Sequence, residues 1–268
     1  MEPIIREAKP RDKPFIEEIS RLTWGGEDYL ARIFDEWVKD GNFYVLEVDG
    51  KVIGTAKLTI LPGKVGWIEG LRVHPDYRGR GYGRMIHNFI LNLGKKLAEK
   101  EVIEALEFAT YFLNRESVSM AEKTGFHVRA KFFVMSAPAG ETLEEPSVVE
   151  PSINDVTLGT FPVGWRFLHR CDETVEWLRK NAVLYELNGL RFIGPKGGAT
   201  FTALDPGPAV LRELMPAMGW VARELSLDGF DVMIPSAMGA VLPGLRRVGF
   251  ELWDDKDEPN VLVFRKKI

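Results

Sequence analysis

Apolar positions along the chain follow two periods, and the changes between them mark out the elements. Leu30, Ile33, Phe34, Trp37 and Val38 recur at the spacing of one helix face, and Asp40-Gly41-Asn42 supplies a stop. A shorter helix capped by Asp12 presents Phe15, Ile16 and Ile19. Ile86, Phe89, Ile90, Leu93 and Leu97 form a third helical face, which leaves His87 on the solvent-leaning side. Strand-like runs stand around these helices. "IIREA" opens the chain, and "FYVLEV" and "KVIGTAKLTI" flank Asp49-Gly50, a strong hairpin signal. Pro62-Gly63 turns the chain into "VGWIEGLRV", and "ALEFA" and "HVRAKFFVMS" follow later. The crossover from Val73 through the third helix to Ala105 is expected to be a right-handed parallel unit. The fold class read from this order is mixed α/β, with a mainly antiparallel central sheet and helices on both faces.

Residues 137–152, "APAGETLEEPSVVEPS", lack periodicity and are rich in proline and acid, which reads as a linker. It separates an expected first domain, 1–136, from a second, 153–268. The second stretch has helices near Glu173–Lys180 and Pro208–Leu225. Its strands lie around Arg191–Ile193, Ala199–Leu204, "FDVMIP" and "NVLVFRK". This order echoes the first domain, and both halves place a Gly-Phe pair between a helix and the last strand. A degenerate duplication and a chance recurrence of a common helix stop both account for it.

Composition narrows the function classes. Net charge is −4 over 268 residues, against a dedicated nucleic-acid binder. Cys171 is the only cysteine, so no intrachain disulfide forms, and no segment has membrane-spanning length. The expectation is a cytoplasmic protein with no nucleic-acid or membrane partner, monomeric or homodimeric. Glutamine is absent while Glu and Lys are abundant, a weak sign of a heat-adapted source.

The candidate chemistry sits in "RVHPDYRGRGYGRMIHNFI". Gly79, Gly81 and Gly83 stand between a strand and a helix. Amides there can converge on one anion with the helix dipole behind them, and Arg78, Arg80 and Arg84 can add charge-assisted contacts. The pattern is neither a Walker loop nor the dinucleotide GxGxxG.

Arg78-Gly79-Arg80-Gly81-Tyr82-Gly83 resembles the [QR]xxGx[GA] signature of the GNAT acetyltransferase superfamily. "LRVHPDYRGRGYG", Asn114 and Gly125-Phe126 resemble that family's flanking motifs in order, over roughly residues 4–136. The resemblance implies a GNAT fold followed by a degenerate GNAT-like second domain, with acetyl-CoA as cofactor. It implies a pyrophosphate on residues 78–84 and a pantetheine arm beside Leu71, Arg72 and Val73, facing Ala105–Ala109. It also puts Asn114 and Ser117 on the cofactor side. "EDYL…FDEW…EGLRVHP" is similar to two-domain histidine N-acetyltransferases, which favours a free amino acid or other small amine over a protein tail.

The resemblance implies direct attack of an amine on the thioester, with an acidic base. Glu69 is the candidate: in a regular strand it shares a face with Trp67, Leu71 and Val73, an apolar set where desolvation would raise its pKa. The other reading makes Gly70 a bulge that turns Glu69 to solvent. Where the family commonly has an acidic tyrosine stands Ala121, so Tyr111 or water is left to protonate the thiolate. Trp24, Glu27, Asp28 and Tyr29 are candidates for lining an acceptor pocket, with Glu27 or Asp28 holding an ammonium group, although Asp28 also suits a capping role. His74 reads as a surface turn residue. Nothing around Cys171 and His169 has metal-ligand spacing, and no metal is expected. The second half has no such signature, and Asp205-Pro206-Gly207-Pro208 at the equivalent place would repel a phosphate. The competing reading of the whole is an acyl-CoA-binding sensor with weak or no catalysis.

Overall fold

The computed structural model describes residues 2–26, 28–156, 159–254 and 256–268. The chain forms two compact units. One closes over the chain up to Glu107 and takes in Lys266–Ile268; the other runs Phe108–Arg265.

The first unit contains β1 (Ile4–Glu7), α1 (Lys13–Arg21), α2 (Leu30–Asp40), β2 (Phe43–Val48), β3 (Lys51–Leu61), β4 (Val65–Val73), α3 (Tyr82–Glu99) and the start of β5 (Ala105–Tyr111). Strand order is β1-β2-β3-β4-β5. The first four strands pair antiparallel, and both expected hairpin turns are present, with Gly50 and Gly63 at positive φ. β4 and β5 pair in parallel, as the crossover rule requires. Their ladder runs from Val65↔Ala105 to Trp67↔Glu107, and β4 continues past it to Val73. Ile16, Ile19, Leu30, Phe34 and Trp37 close one face of the sheet. On α3, Gly94 and Ile86 meet the strands closely: a Cβ on Gly94 would stand 2.7 Å from Leu106, and one on Gly54 would meet Ile86 at the same distance.

The second unit continues with α4 (Arg115–Lys123), β6 (His127–Pro138), β7 (Ser147–Val149), β8 (Thr160–Val163), β9 (Arg166–His169) and α5 (Asp172–Asn181). It ends with β10 (Ala182–Leu187), β11 (Leu190–Pro195), β12 (Thr200–Ala203), α6 (Pro208–Glu224), β13 (Gly229–Pro235), α7 (Leu242–Arg247), β14 (Glu251–Leu252) and β15 (Val261–Lys267). Its main sheet runs β15-β6-β13-β12-β11-β10-β7. β12, α6 and β13 make a second parallel crossover after an antiparallel pair of strands. The internal echo in the sequence is thus an echo of topology.

The boundary between the units falls inside β5, well before the expected linker. The chain's last strand explains this. Phe264 of β15 stacks on Phe108 of β5 at 5.2 Å, and Phe112 N donates to Asn260 O at 2.9 Å. The stretch 137–152 is also more ordered than its composition implied. Ala137 and Ala139 are buried, and β7 pairs with β10. The hairpin β8–β9 and strand β10 were not legible, because each is short and lacks strict alternation. Among the described residues, no helix is long and apolar enough to cross a membrane.

His87 departs from its expected exposure. It is 2% exposed, because α3 buries the arc Ile86, His87, Ile90 and Gly94 rather than a narrow stripe. Burial, helped by the nearby charge of Lys266, lowers its pKa from 6.5 to about 4. A lowered folded-state pKa gives stability that is present above pH 6.5 and is lost as pH falls toward 4. Each pKa unit corresponds to about 1.4 kcal/mol. His87→Leu is therefore expected to lose less thermal stability than the wild type between pH 7 and about pH 4.5. Melting curves across that range check it.

Candidate active site

The site is organised by one irregularity in β4. Thr55 pairs with Arg72 and Lys57 with Glu69, so three steps along β4 oppose two along β3. This is a β-bulge, and Gly70 makes it at φ +63°. A side chain at Gly70 would be strained by that φ and would put its Cβ 2.4 Å from Trp37 Cζ3. The Thr55 hydroxyl donates to Gly70 O at 2.6 Å and secures the turn of the backbone.

The bulge changes which residues share a face. Regular alternation would put Leu71 and Val73 beside Glu69; the extra residue puts Arg72 there instead. Glu69 is not turned out to solvent either. It is half-buried and accepts from Thr59 Oγ1 at 2.5 Å. Lys57, 1% exposed, lies on the same face of β3 and gives its ammonium to Asp40 and Gly41 O.

Arg72 was expected to serve the cofactor through its backbone. Its side chain has a separate engagement with the segment between α1 and α2. Nε and Nη2 donate to Asp28 Oδ2 and Oδ1 at 3.0 and 3.2 Å, and Nη1 donates to Leu71 O at 2.9 Å. The guanidinium lies 4.2 Å from the Trp24 ring centre and 5.7 Å from that of Tyr29. Three of the acceptor-pocket candidates, Trp24, Asp28 and Tyr29, are thereby brought together. The fourth, Glu27, lies outside the described residues. Both oxygens of Asp28 are taken by Arg72 and its side chain is fully buried, so it does not offer a carboxylate to an ammonium group. Nor does its side chain cap α2, whose N-cap is Tyr29.

Downstream of β4 the chain enters the glycine loop. Arg78 Nε donates to Val73 O at 3.1 Å. Gly79 and Gly81 take φ of +75° and +84°, and Gly81 is the N-cap of α3. Nothing lies within 4 Å of a Cβ built on Gly79, and only Arg84 approaches one on Gly81. The first turn of α3 presents N–H groups with no partner inside the helix, with the positive dipole end behind them. Arg80 stacks over Tyr77 at 5.4 Å, and the Tyr77 and Tyr82 rings lie 6.5 Å apart. Gly83 has only an ordinary contact to Val73. An open groove of about 510 Å³ continues along α3 from Arg80, Gly81 and Arg84 past Asn88 to Asn92. His74 is not a surface residue. It is 1% exposed, its Nδ1 accepts from Asp76 N at 3.2 Å, and its Nε2 faces Glu18 at 3.4 Å.

In the second unit, Tyr111 is poorly placed to be an acid. Its hydroxyl donates to Asp254 Oδ2 at 3.0 Å, and burial together with that carboxylate raises its pKa to about 12. Asp254 also accepts from Asn260 Nδ2 at 2.9 Å, while Trp253 lies 6.0 Å from the Tyr111 ring. The sequence reading assigned these three partners no role; the only signal was an aromatic beside acids in a turn. Asn114 caps α4, its Oδ1 accepting from Ser117 N at 3.2 Å. Ala121 is fully buried. Asp205 Oδ1 accepts from Gly207 N at 2.9 Å, just ahead of α6. That amide is taken by the loop's own acid. Burial raises the Cys171 thiol, which contacts Thr174 at 3.2 Å, an environment that does not favour a nucleophilic thiolate.

Residues 12–126 match the acetyltransferase (GNAT) family. That segment is similar to a GNAT domain. Curated histidine N-acetyltransferases from Xenopus tropicalis and Oreochromis niloticus are 36% and 33% identical to this chain. The matches span 89 and 91 residues, 31% and 33% of this chain and 28% and 27% of theirs. The chain thus aligns with little more than a quarter of those relatives. Two solved structures share the fold over 99% of the chain. One is a Thermoplasma acidophilum protein assigned as an acetyltransferase, TM-score 0.66 and 19% identical, with all of its own chain covered. The other is a GCN5-related N-acetyltransferase from Sphaerobacter thermophilus, TM-score 0.64 and 14% identical, with 95% covered.

If the first unit depends on the bulge, Gly70→Ala is expected to cost about 2–4 kcal/mol, from overpacking against Trp37 plus a strained φ. Denaturant unfolding measures this. A loss below roughly 0.5 kcal/mol, the range of a neutral surface change, would mean the bulge tolerates a side chain.

Proposed function

We propose that the chain is an acetyl-CoA-dependent N-acetyltransferase that acylates a primary amine, on a free amino acid or another small molecule. One observation carries this reading: the Gly70 bulge puts Glu69 and Arg72 on the face of the 22–29 segment, on a strand that runs directly into the left-handed glycine loop of α3. The open space above Gly79 and Gly81 fits a pyrophosphate held by loop amides, with Arg78, Arg80 and Arg84 around it. The β4 backbone beyond Trp67 has run past its ladder with β5, which suits a pantetheine arm paired along Leu71, Arg72 and Val73. The matched relatives named for histidine acetylation support a small amino acid as acceptor.

Bound acetyl-CoA would supply an activated thioester. Glu69, directly or through water, takes the proton from the acceptor ammonium, so that a neutral amine attacks. Backbone N–H groups at the bulge donate to the oxygen on which charge develops. A thiol of pKa roughly 8.5 leaves without a strong acid, and water supplies its proton. Within the second unit, Ala121 is buried and the Tyr111 proton is committed to Asp254, so neither offers a side-chain acid. Asn114 acts on the cofactor side by fixing the start of α4 with Ser117.

The same loss of a side-chain acid favours the second reading, an acyl-CoA sensor. Thiol release with acetyl-CoA against a panel of amino acids, polyamines and peptides separates the two. Acetyl-CoA binding without turnover of any amine would select the sensor. Gly81→Asp is expected to abolish acetyl-CoA binding in calorimetry while the circular dichroism spectrum stays native; unchanged affinity would remove the phosphate assignment. Glu69→Gln is expected to lower kcat by about 10²–10³-fold with little change in acetyl-CoA affinity. An unaltered rate and pH profile would show that Glu69 is not the base.

A further inference from the structure

We propose that Arg72 is a positioning residue whose guanidinium clamps Trp24 and Asp28 onto the β4 bulge and so sets the wall against which the acceptor amine docks. The proposal rests on the acetyl-transfer reading above. Its physical basis is that this segment does not hold its shape through its own backbone preferences. Trp24, Gly25 and Gly26 take φ of +48°, +67° and +99° in succession. For a tryptophan that region costs on the order of 1 kcal/mol or more.

Arg72 offsets this cost in three directions at once. Its fork binds both oxygens of Asp28, its plane stacks on Trp24, and Nη1 returns to Leu71 O in the bulge itself. Ser20 secures the far end of the segment, its hydroxyl donating to Asp28 O at 2.8 Å. Asp28 has no exposed side-chain surface and Arg72 only 14%, so removing either partner would leave a charge buried and unpaired. Lysine cannot replace the arrangement, because it lacks both the planar fork and the stacking face. The result is that Trp24, 60% exposed, is held with one face covered by Arg72 and the rest of its ring open to solvent. The bulge makes this possible, since in a regular strand Arg72 would point to the opposite face of the sheet.

Arg72→Lys and Asp28→Asn test the clamp with little change in volume. Two readouts are needed: steady-state kinetics with the best acceptor from the amine panel, and nicking by chymotrypsin after Trp24. Both variants are expected to raise the acceptor KM by about tenfold while acetyl-CoA affinity stays near wild type, and Asp28→Asn, which leaves the Arg72 charge unpaired, is expected to lower the unfolding midpoint as well. Nicking should accelerate by a similar factor. An acceptor KM within twofold of wild type, or a parallel loss of acetyl-CoA affinity, would overturn the positioning role. Unchanged nicking would overturn the clamp even if the wild type acetylates no amine, so failure of the clamp and failure of the acetyl-transfer reading are told apart.

Discussion

The left-handed backbone of Gly70 governs the chemistry of the first unit. A strand with strict alternation would have Glu69 and Arg72 on opposite faces of the sheet. One extra residue brings them to the same face, and only glycine permits it, because both the φ and the Trp37 ring exclude a Cβ. The carboxylate that would serve as base and the guanidinium that holds the 22–29 segment then depend on the same few backbone atoms. Leu71 O, the acceptor for Arg72, belongs to that bulge as well. Packing of α2 and polar geometry on β4 are therefore coupled: Trp37 fills the space that the missing Cβ leaves.

The two crossovers of the chain show how one topology is used differently. Both have a strand, a helix and a parallel strand: β4-α3-β5 and β12-α6-β13. In the first, left-handed glycines bring the chain into the helix, and a Cβ built on Gly79 would meet nothing within 4 Å. In the second, Gly207 has φ −63°, Pro208 removes an amide, and Asp205 caps Gly207 N. The dipole is the same in both, but the second helix start already has its anion in covalent form. An anion site at a helix N-terminus requires its amides to be left available as much as it requires the helix.

Reading the residues in order recovered much of this. The helical stripes of α1, α2 and α3, the hairpins at Gly50 and Gly63 and the parallel crossover follow from period and turn chemistry, which are local. The left-handed glycine loop was legible for the same reason, since Gly79, Gly81 and the arginines lie within a few residues of one another. Errors arose where distant chain decides the environment. His87 and His74 were read as exposed, and are buried by neighbours that the sequence does not place beside them. Tyr111 has the chemistry of an acid in isolation, but Asp254, far along the chain, accepts a hydrogen bond from its hydroxyl. The stretch 137–152 has the composition of a linker, yet β7 finds a partner in β10 and becomes a strand.

The sequence by itself determined the elements, the crossover and the glycine loop, because those depend on contacts within a turn or two of the chain. Tertiary structure decided the rest. Glycine at position 70 allows a bulge but does not demand one; pairing with β3 and the Trp37 ring select it. Asp28 and Arg72 each have several plausible partners in sequence, and become one ion pair only when the bulge turns the arginine toward the 22–29 segment. Side-chain direction on a strand changes with a single inserted residue, and that insertion is a property of the pairing rather than of the strand alone.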